Sequence, residues 1–336
     1  MRTEKAKILQ RNKLAQFIDA LIGTYEVIAP KEELAYGQLE AGTEINLDPD
    51  KPTQSLKEFF FLPRETLVEY ALTKEGVELS PPQPLDTRRV IFARPCDAAS
   101  LPILDKLFAW DYLDRFYLER RETTAIISLA CDRPPKACFC PSLGGSPAGT
   151  DGADLLLTPL DEDVYHVQVV TERGSGLVEE YAEFFSESSP EQDQKQAQLE
   201  AEWRGQISKH VDVEKVREAL DFDSPVWETL TRQCVDCGIC TFVCPTCHCF
   251  DIQDEGGPKG GIRVRLWDSC AFQNYTKTHA AQPRPTHYRR YRQRIMHKFK
   301  YYPENFDRFL CVGCGRCILH CPASIDLTQV LEEAKE

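Results

Sequence analysis

Apolar residues near the start of the chain recur at three- and four-residue steps (Leu14, Phe17, Ile18, Leu21 and Ile22), which predicts an amphipathic helix. Strand-like runs follow at residues 25–29 and 58–62. Residues 90–93 and 125–129 are short all-apolar runs of the kind shown by strands buried on both faces. Residues 154–157 and 164–170 make a predicted hairpin, and helical spacing appears at residues 101–110. Farther along, Tyr288, Tyr291, Ile295, Phe299 and Tyr302 step by three and four, so this segment reads as an amphipathic helix ended by Pro303. A last helix is capped by Asp326 and carries Leu327, Val330, Leu331 and Ala334 on one face. The mixture predicts an α+β fold.

Length and charge narrow the picture. At about 150 residues per domain, 336 residues suggest two domains. A hydrophobic content of 42% with 28% charged residues argues against disorder. The longest apolar stretches are far too short to cross a bilayer, and the first residues show no apolar leader, so a cytoplasmic protein without a membrane partner is expected. Forty Lys and Arg against 53 Asp and Glu give a net charge of −13, which disfavours nucleic acid as a partner.

The 15 cysteines change the picture most. An odd number cannot all pair within one chain, and thiols kept reduced at close spacing usually hold metal. Eleven of them fall between Cys234 and Cys321, and the other four are Cys96, Cys131, Cys138 and Cys140. Three parts follow: residues 1–178, a mixed α/β-type domain with its own candidate metal site; residues 179–205, an acidic connector, with a solvated helix as the alternative reading; and residues 206–336, a helical ferredoxin-like domain.

Cys234-Val-Asp-Cys237-Gly-Ile-Cys240-Thr-Phe-Val-Cys244-Pro245 has the spacing C-x2-C-x2-C-x3-C-P, and Cys311-Val-Gly-Cys314-Gly-Arg-Cys317-Ile-Leu-His-Cys321-Pro322 repeats it. Three cysteines at two-residue gaps wrap a loop around one face of an iron–sulfur cube, while the fourth points away to the other cube. The expected ligand sets are therefore Cys234, Cys237, Cys240 and Cys321 for one [4Fe–4S] cluster, and Cys311, Cys314, Cys317 and Cys244 for a second. Zinc sites use pairs of C-x2-C knuckles and do not match this spacing. The 66 residues between Cys244 and Cys311 exceed the needs of a minimal ferredoxin and favour a helical arrangement.

The four N-terminal cysteines form a second constellation. Two apolar strands each end in Cys-Asp, at Cys96-Asp97 and Cys131-Asp132. If these strands are parallel neighbours, both thiols emerge at one sheet edge, and Cys138-Phe-Cys140 supplies two more. A third [4Fe–4S] cluster, a structural zinc ion and plain buried thiols all remain open on spacing alone. Asp97 and Asp132 read as solvated or helix-capping acids rather than catalytic carboxylates. Cys247, Cys249 and Cys270 are too few for an all-thiolate cube. They read as buried thiols beside the clusters, with His248 or His279 as a fourth ligand otherwise.

No G-x-G-x-x-G follows a strand and no Walker A sequence is present, so the chain shows no signature for binding NAD, FAD or ATP. Residues 269–303 contain no acidic residue but eight basic ones, among them Arg289, Arg290, Arg292, Arg294, Lys298 and Lys300. This basic segment is expected to offset the negative charge of thiolate-bound clusters, and the helix, or else the N-terminal domain, is the expected docking surface for a partner.

The segments Arg94-Pro-Cys-Asp97, Cys138-Phe-Cys140, Cys244-Pro-Thr-Cys-His-Cys-Phe-Asp251, Trp267-Asp-Ser-Cys270, Arg292-Gln-Arg-Ile-Met-His-Lys298 and Cys311-Val-Gly-Cys-Gly-Arg-Cys317 occur in this order. Together they resemble a family of ferredoxin-type [4Fe–4S] dicluster subunits. It comprises β subunits of soluble sulfhydrogenases, the corresponding ferredoxin-type component of anaerobic sulfite reductase, and the iron–sulfur component of flavin oxidoreductases that feed heterodisulfide reductases. The similarity runs from about Tyr25 to Asp326. One departure is Thr278-His-Ala-Ala-Gln-Pro-Arg284, where family members often have Gly-His-Asn-Pro-Arg. The resemblance implies the electron-transfer component of an anaerobic oxidoreductase complex, not catalytic alone. Its partners would be a hydrogenase, sulfite reductase or heterodisulfide reductase on one side and a flavin- and NAD(P)-binding subunit on the other. An oxidoreductase with its own substrate site in the N-terminal domain is the alternative.

Overall fold

Among the described residues, eight strands form one sheet, in the order Phe185–Glu187, Lys7–Gln10, Val164–Val169, Leu155–Pro159, Thr124–Leu129, Arg89–Ala93, Glu26–Pro30 and Tyr36–Gln38. The computed structural model describes residues 5–30, 35–42, 52–82 and 87–335; the first four residues, part of the reading against a leader, lie outside these. The strands Glu26–Pro30, Arg89–Ala93, Thr124–Leu129 and Leu155–Pro159 run parallel, and the strand pairs toward the two edges are antiparallel. Their all-apolar sequences follow from position: every residue of Thr124–Leu129 is buried, because side chains on both faces meet packed cores. The predicted helix forms at Leu14–Ile22 and buries Phe17, Ile18 and Leu21 on one of those faces. Helix Leu101–Phe108 packs on the other.

Three segments differ from the sequence reading. Residues 58–62, expected as a strand, lie mostly in the one-turn helix Lys57–Phe60. Lys57, Phe60 and Phe61 are all buried, so the in–out alternation of a half-buried strand never arises. Residues 179–205, expected as a connector, carry the edge strand Phe185–Glu187 and the helix Pro190–Gly205. A Ser189–Gln192 capping box starts that helix, and buried Trp203 anchors it against Ala130, Ala148 and Leu156. Pro303 does not end the basic helix. His287–Met296 continues through a π-helical turn, His297–Tyr301, into Tyr302–Phe306, with Pro303 at the second residue of the last segment, and the Lys298 carbonyl takes its N–H from Leu310 outside the helix.

Between the two cysteine motifs lies a hairpin, Phe250–Gly257 and Gly260–Trp267, that pairs with Arg64–Leu72 in a second, four-stranded antiparallel sheet. Arg265 on this hairpin reaches Glu65 and Asp114, and Arg120 also reaches Glu65, in a buried ion-pair network. The C-terminal part therefore adds strands to the N-terminal part rather than standing apart from it.

Candidate iron–sulfur centres

The two cysteine motifs fold alike because their residues demand it. Gly238 (φ 73°) and Gly315 (φ 74°) occupy the left-handed region and each leads into a one-turn helix, Ile239–Phe242 and Arg316–Leu319. Two residues upstream the motifs diverge. Asp236 takes φ 54° and turns its carboxylate to Arg290 at 2.5 Å. The equivalent residue of the second motif is Gly313, where a Cβ atom would lie 2.6 Å from the backbone of Cys140. Glycine is required there because the N-terminal domain presses against the loop.

The eight motif cysteines gather in two groups that cross the sequence. One pocket is lined by Cys234, Cys237, Cys240 and Cys321, and a second by Cys244, Cys311, Cys314 and Cys317. Cys317 also borders the first pocket. Burial pushes the Cys234 and Cys311 thiols up to about 11 and Cys317 up to about 12, so thiolate ligation there must release protons and is opposed by acid.

A third pocket contains all four N-terminal cysteines. Strands Arg89–Ala93 and Thr124–Leu129 are parallel neighbours in the register Ala93 to Ser128, so Cys96 and Cys131 each emerge three residues past paired positions. The following loop brings Cys138 and Cys140 beside them. Cys314 lines this pocket as well as the second, and the Cys138 thiol donates to the Cys314 carbonyl at 3.6 Å. The Phe139 N–H donates to the Gly313 carbonyl at 2.8 Å.

Asp97 corrects a sequence expectation. It is neither solvated nor a helix cap but fully buried, in a bidentate pair with Arg316 at 2.7 and 2.8 Å, and it accepts from the Tyr36 hydroxyl at 3.0 Å. Since Arg316 follows Gly315, this pair ties the second motif to the strand end that carries Cys96. The motif spacing gives no hint of it. Asp132 is partly exposed, 3.9 Å from Arg133.

The basic helix is also corrected. Arg290, Arg294 and Lys298 are all at least nine-tenths buried, so this stripe is not a docking surface. The three cations sit four residues apart and face the cysteines: Arg290 borders the first pocket, Arg294 the first and second, and Lys298 the second. The Arg294 Nε has no hydrogen-bond partner. An anionic group in these pockets would compensate the buried charges of Arg294 and Lys298, which no carboxylate meets among the described residues; thiolate-bound clusters fit that need. Residues 278–281, within the stretch that departs from the family pattern, are exposed.

The remaining thiols fall into pairs. A hydrogen bond from Cys247, with burial opposing it and Lys298 assisting, holds the Cys244 thiol well below the usual range. A hydrogen bond from Cys270 likewise lowers Cys249 to about 6. His248 is half-buried and its ring lies 5.3 Å from that of His297, while His279 is exposed. Burial and His297 push the His248 imidazole down to about 3.

Access differs between the pockets. Cys237 is exposed, with Val235 standing out beside it. At the opposite end an open cleft runs past Cys96, Cys140 and Cys311, between the loop at residues 144–151 and the segment at residues 307–312. No helix among the described residues is long and apolar enough to cross a membrane.

Residues 233–325 match the 4Fe-4S dicluster domain family. The chain is 33% identical over 298 residues to sulfhydrogenase 2 subunit beta of Pyrococcus furiosus, an alignment covering 87% of this chain and 86% of the relative. With this match and the crossed cysteine groups together, the chain belongs to the family of [4Fe–4S] dicluster electron-transfer subunits that includes the β subunit of sulfhydrogenase.

Proposed function

We propose that this chain is the relay subunit of a cytoplasmic oxidoreductase complex and holds three [4Fe–4S] clusters in line. The end site comprises Cys96, Cys131, Cys138 and Cys140. The middle site comprises Cys244, Cys311, Cys314 and Cys317, and the far site Cys234, Cys237, Cys240 and Cys321. The observation that carries this reading is the sharing of walls: Cys314 borders the end and middle pockets, and Cys317 borders the middle and far pockets. When bound, such clusters exchange single electrons at potentials set by burial, charge and hydrogen bonds to sulfur.

For the end site, a cube is favoured over zinc. Zn–S bonds of about 2.3 Å draw four sulfurs onto one ion. The end pocket gathers four thiols and shares Cys314 with the middle one, so the same kind of group suits both.

A relay needs two doors, and the line of pockets has one at each end. The cleft at Cys96 and Cys140 suits one redox partner, and the exposed surface around Cys237 suits the other. NAD(P)H delivers electrons in pairs, which a flavin can split. The chain carries no nucleotide fingerprint, so we assign that step to a flavin- and NAD(P)-binding partner subunit. The far partner is a hydrogenase, sulfite reductase or heterodisulfide reductase subunit.

The test is reconstitution. The isolated, iron-loaded chain is expected to show no NADH-dependent viologen reduction, and adding the flavoprotein subunit of its complex is expected to switch that activity on. NAD(P)H oxidation or sulfite turnover by the chain alone would overturn the relay and place a substrate site in the open cleft.

A further inference from the structure

Lys298 is about as deeply buried as a lysine can be, at 1% exposure, and makes no ion pair with a carboxylate among the described residues. Its ammonium instead reaches the Cys244 sulfur at 3.3 Å, the Thr246 hydroxyl at 3.1 Å and the Leu310 carbonyl at 2.8 Å. Thr246 completes the group: its hydroxyl donates to the same Leu310 carbonyl at 2.8 Å and lies 3.3 Å from the Cys244 sulfur. Leu310 directly precedes Cys311, so one cation grips both chain segments that supply the middle site.

The backbone is bent to this purpose. Lys298 lies in the π-helical turn His297–Tyr301, and π turns are rare and frequent at functional sites when they occur. Its carbonyl accepts from the Leu310 N–H at 3.0 Å, while its ammonium donates back to the Leu310 carbonyl. This reciprocal pair fixes the amine with no freedom to swing away from sulfur.

We propose that Lys298, supported by Thr246, is a positioning residue that raises the reduction potential of the middle cluster by donating a charged hydrogen bond to the Cys244 sulfur. The inference rests on Cys244 being a ligand of that cluster. Adding one electron makes and breaks no bond but leaves the cluster one charge more negative. A fixed positive charge at low dielectric therefore stabilises the reduced form more than the oxidised one. Burial alone would do the reverse, because it disfavours the more highly charged state. The far site differs: of its two neighbouring cations, Arg290 is already neutralised by Asp236 and Arg294 is shared with the middle site, and its ligand Cys237 is open to solvent.

The experiment is an EPR-monitored redox titration of the intact complex carrying Lys298→Met, Lys298→Arg or Thr246→Val, with iron counted in each. In Lys298→Met one cluster is expected to move to a more negative potential while the others stay in place and the iron content holds. Lys298→Arg keeps the charge and should lie closer to the unaltered protein. Retained iron with no shift, or an equal shift of every cluster, overturns the proposal. If Lys298→Met loses iron, the near-isosteric Thr246→Val decides: a smaller shift in the same direction supports the role, and no shift overturns it. A Cys244→Ser chain that keeps every iron atom and signal would instead overturn the ligand reading, whatever Lys298 does.

Discussion

Replacing Cys244 with serine is expected to damage the cluster built by the second cysteine motif, which begins 67 positions farther along, and to spare the cluster of its own motif. The crossing follows from the turn geometry. A left-handed glycine in each motif starts a one-turn helix that carries the third cysteine, and the fourth, just beyond it, lines the pocket of the other motif. Cys321→Ser should show the converse and perturb the site of Cys234, Cys237 and Cys240. A serine alkoxide is a harder and poorer ligand for iron than thiolate, so loss or conversion of the affected cluster is expected rather than a small change. EPR that resolves the two clusters is the check. Damage confined to the sequence-local cluster in both variants would refute the crossed assignment.

The second large effect is on stability. Asp97→Ala should destabilise the iron-loaded protein by about 3–5 kcal/mol, the usual cost of removing one partner of a buried ion pair. Arg316 has 1% side-chain exposure, and its Nε is already committed to the Pro52 carbonyl, so the charge finds no replacement partner in place. That loss is a large part of a typical stability of about 5–15 kcal/mol. The same change also frees the Tyr36 hydroxyl and loosens the second motif from the strand end bearing Cys96. Thermal unfolding of the two proteins under anaerobic conditions measures it. An unchanged midpoint would mean that the pair is not holding the two parts together.

How much of this is legible in the sequence depends on whether a residue's partner lies within its own motif. The eight motif cysteines are legible because their spacing is itself the geometry. The equivalence of Cys96 and Cys131 is legible because two apolar runs end in the same dipeptide, and a parallel register preserves that equivalence. Asp97 is not, because its partner, Arg316, lies 219 positions farther along the chain and nothing local announces a buried pair. The basic stripe misleads for a related reason. A run of arginines normally marks a solvated face, and the anions that draw Arg294 and Lys298 inward are cofactor and thiolate, which a count of Asp and Glu omits. The hairpin Phe250–Gly257 and Gly260–Trp267 does leave a local signal: Ile262, Val264 and Leu266 alternate with Arg263 and Arg265 at the period of a strand.

The central claim, a line of three clusters in one chain, is tested most directly by counting iron and acid-labile sulfide per chain in protein purified without oxygen. Three [4Fe–4S] clusters require about 12 of each, and Cys138→Ser should reduce both toward about 8. A fully loaded chain with about 8 iron atoms and one equivalent of zinc would contradict the account, because the relay would then lack its end site beside the cleft.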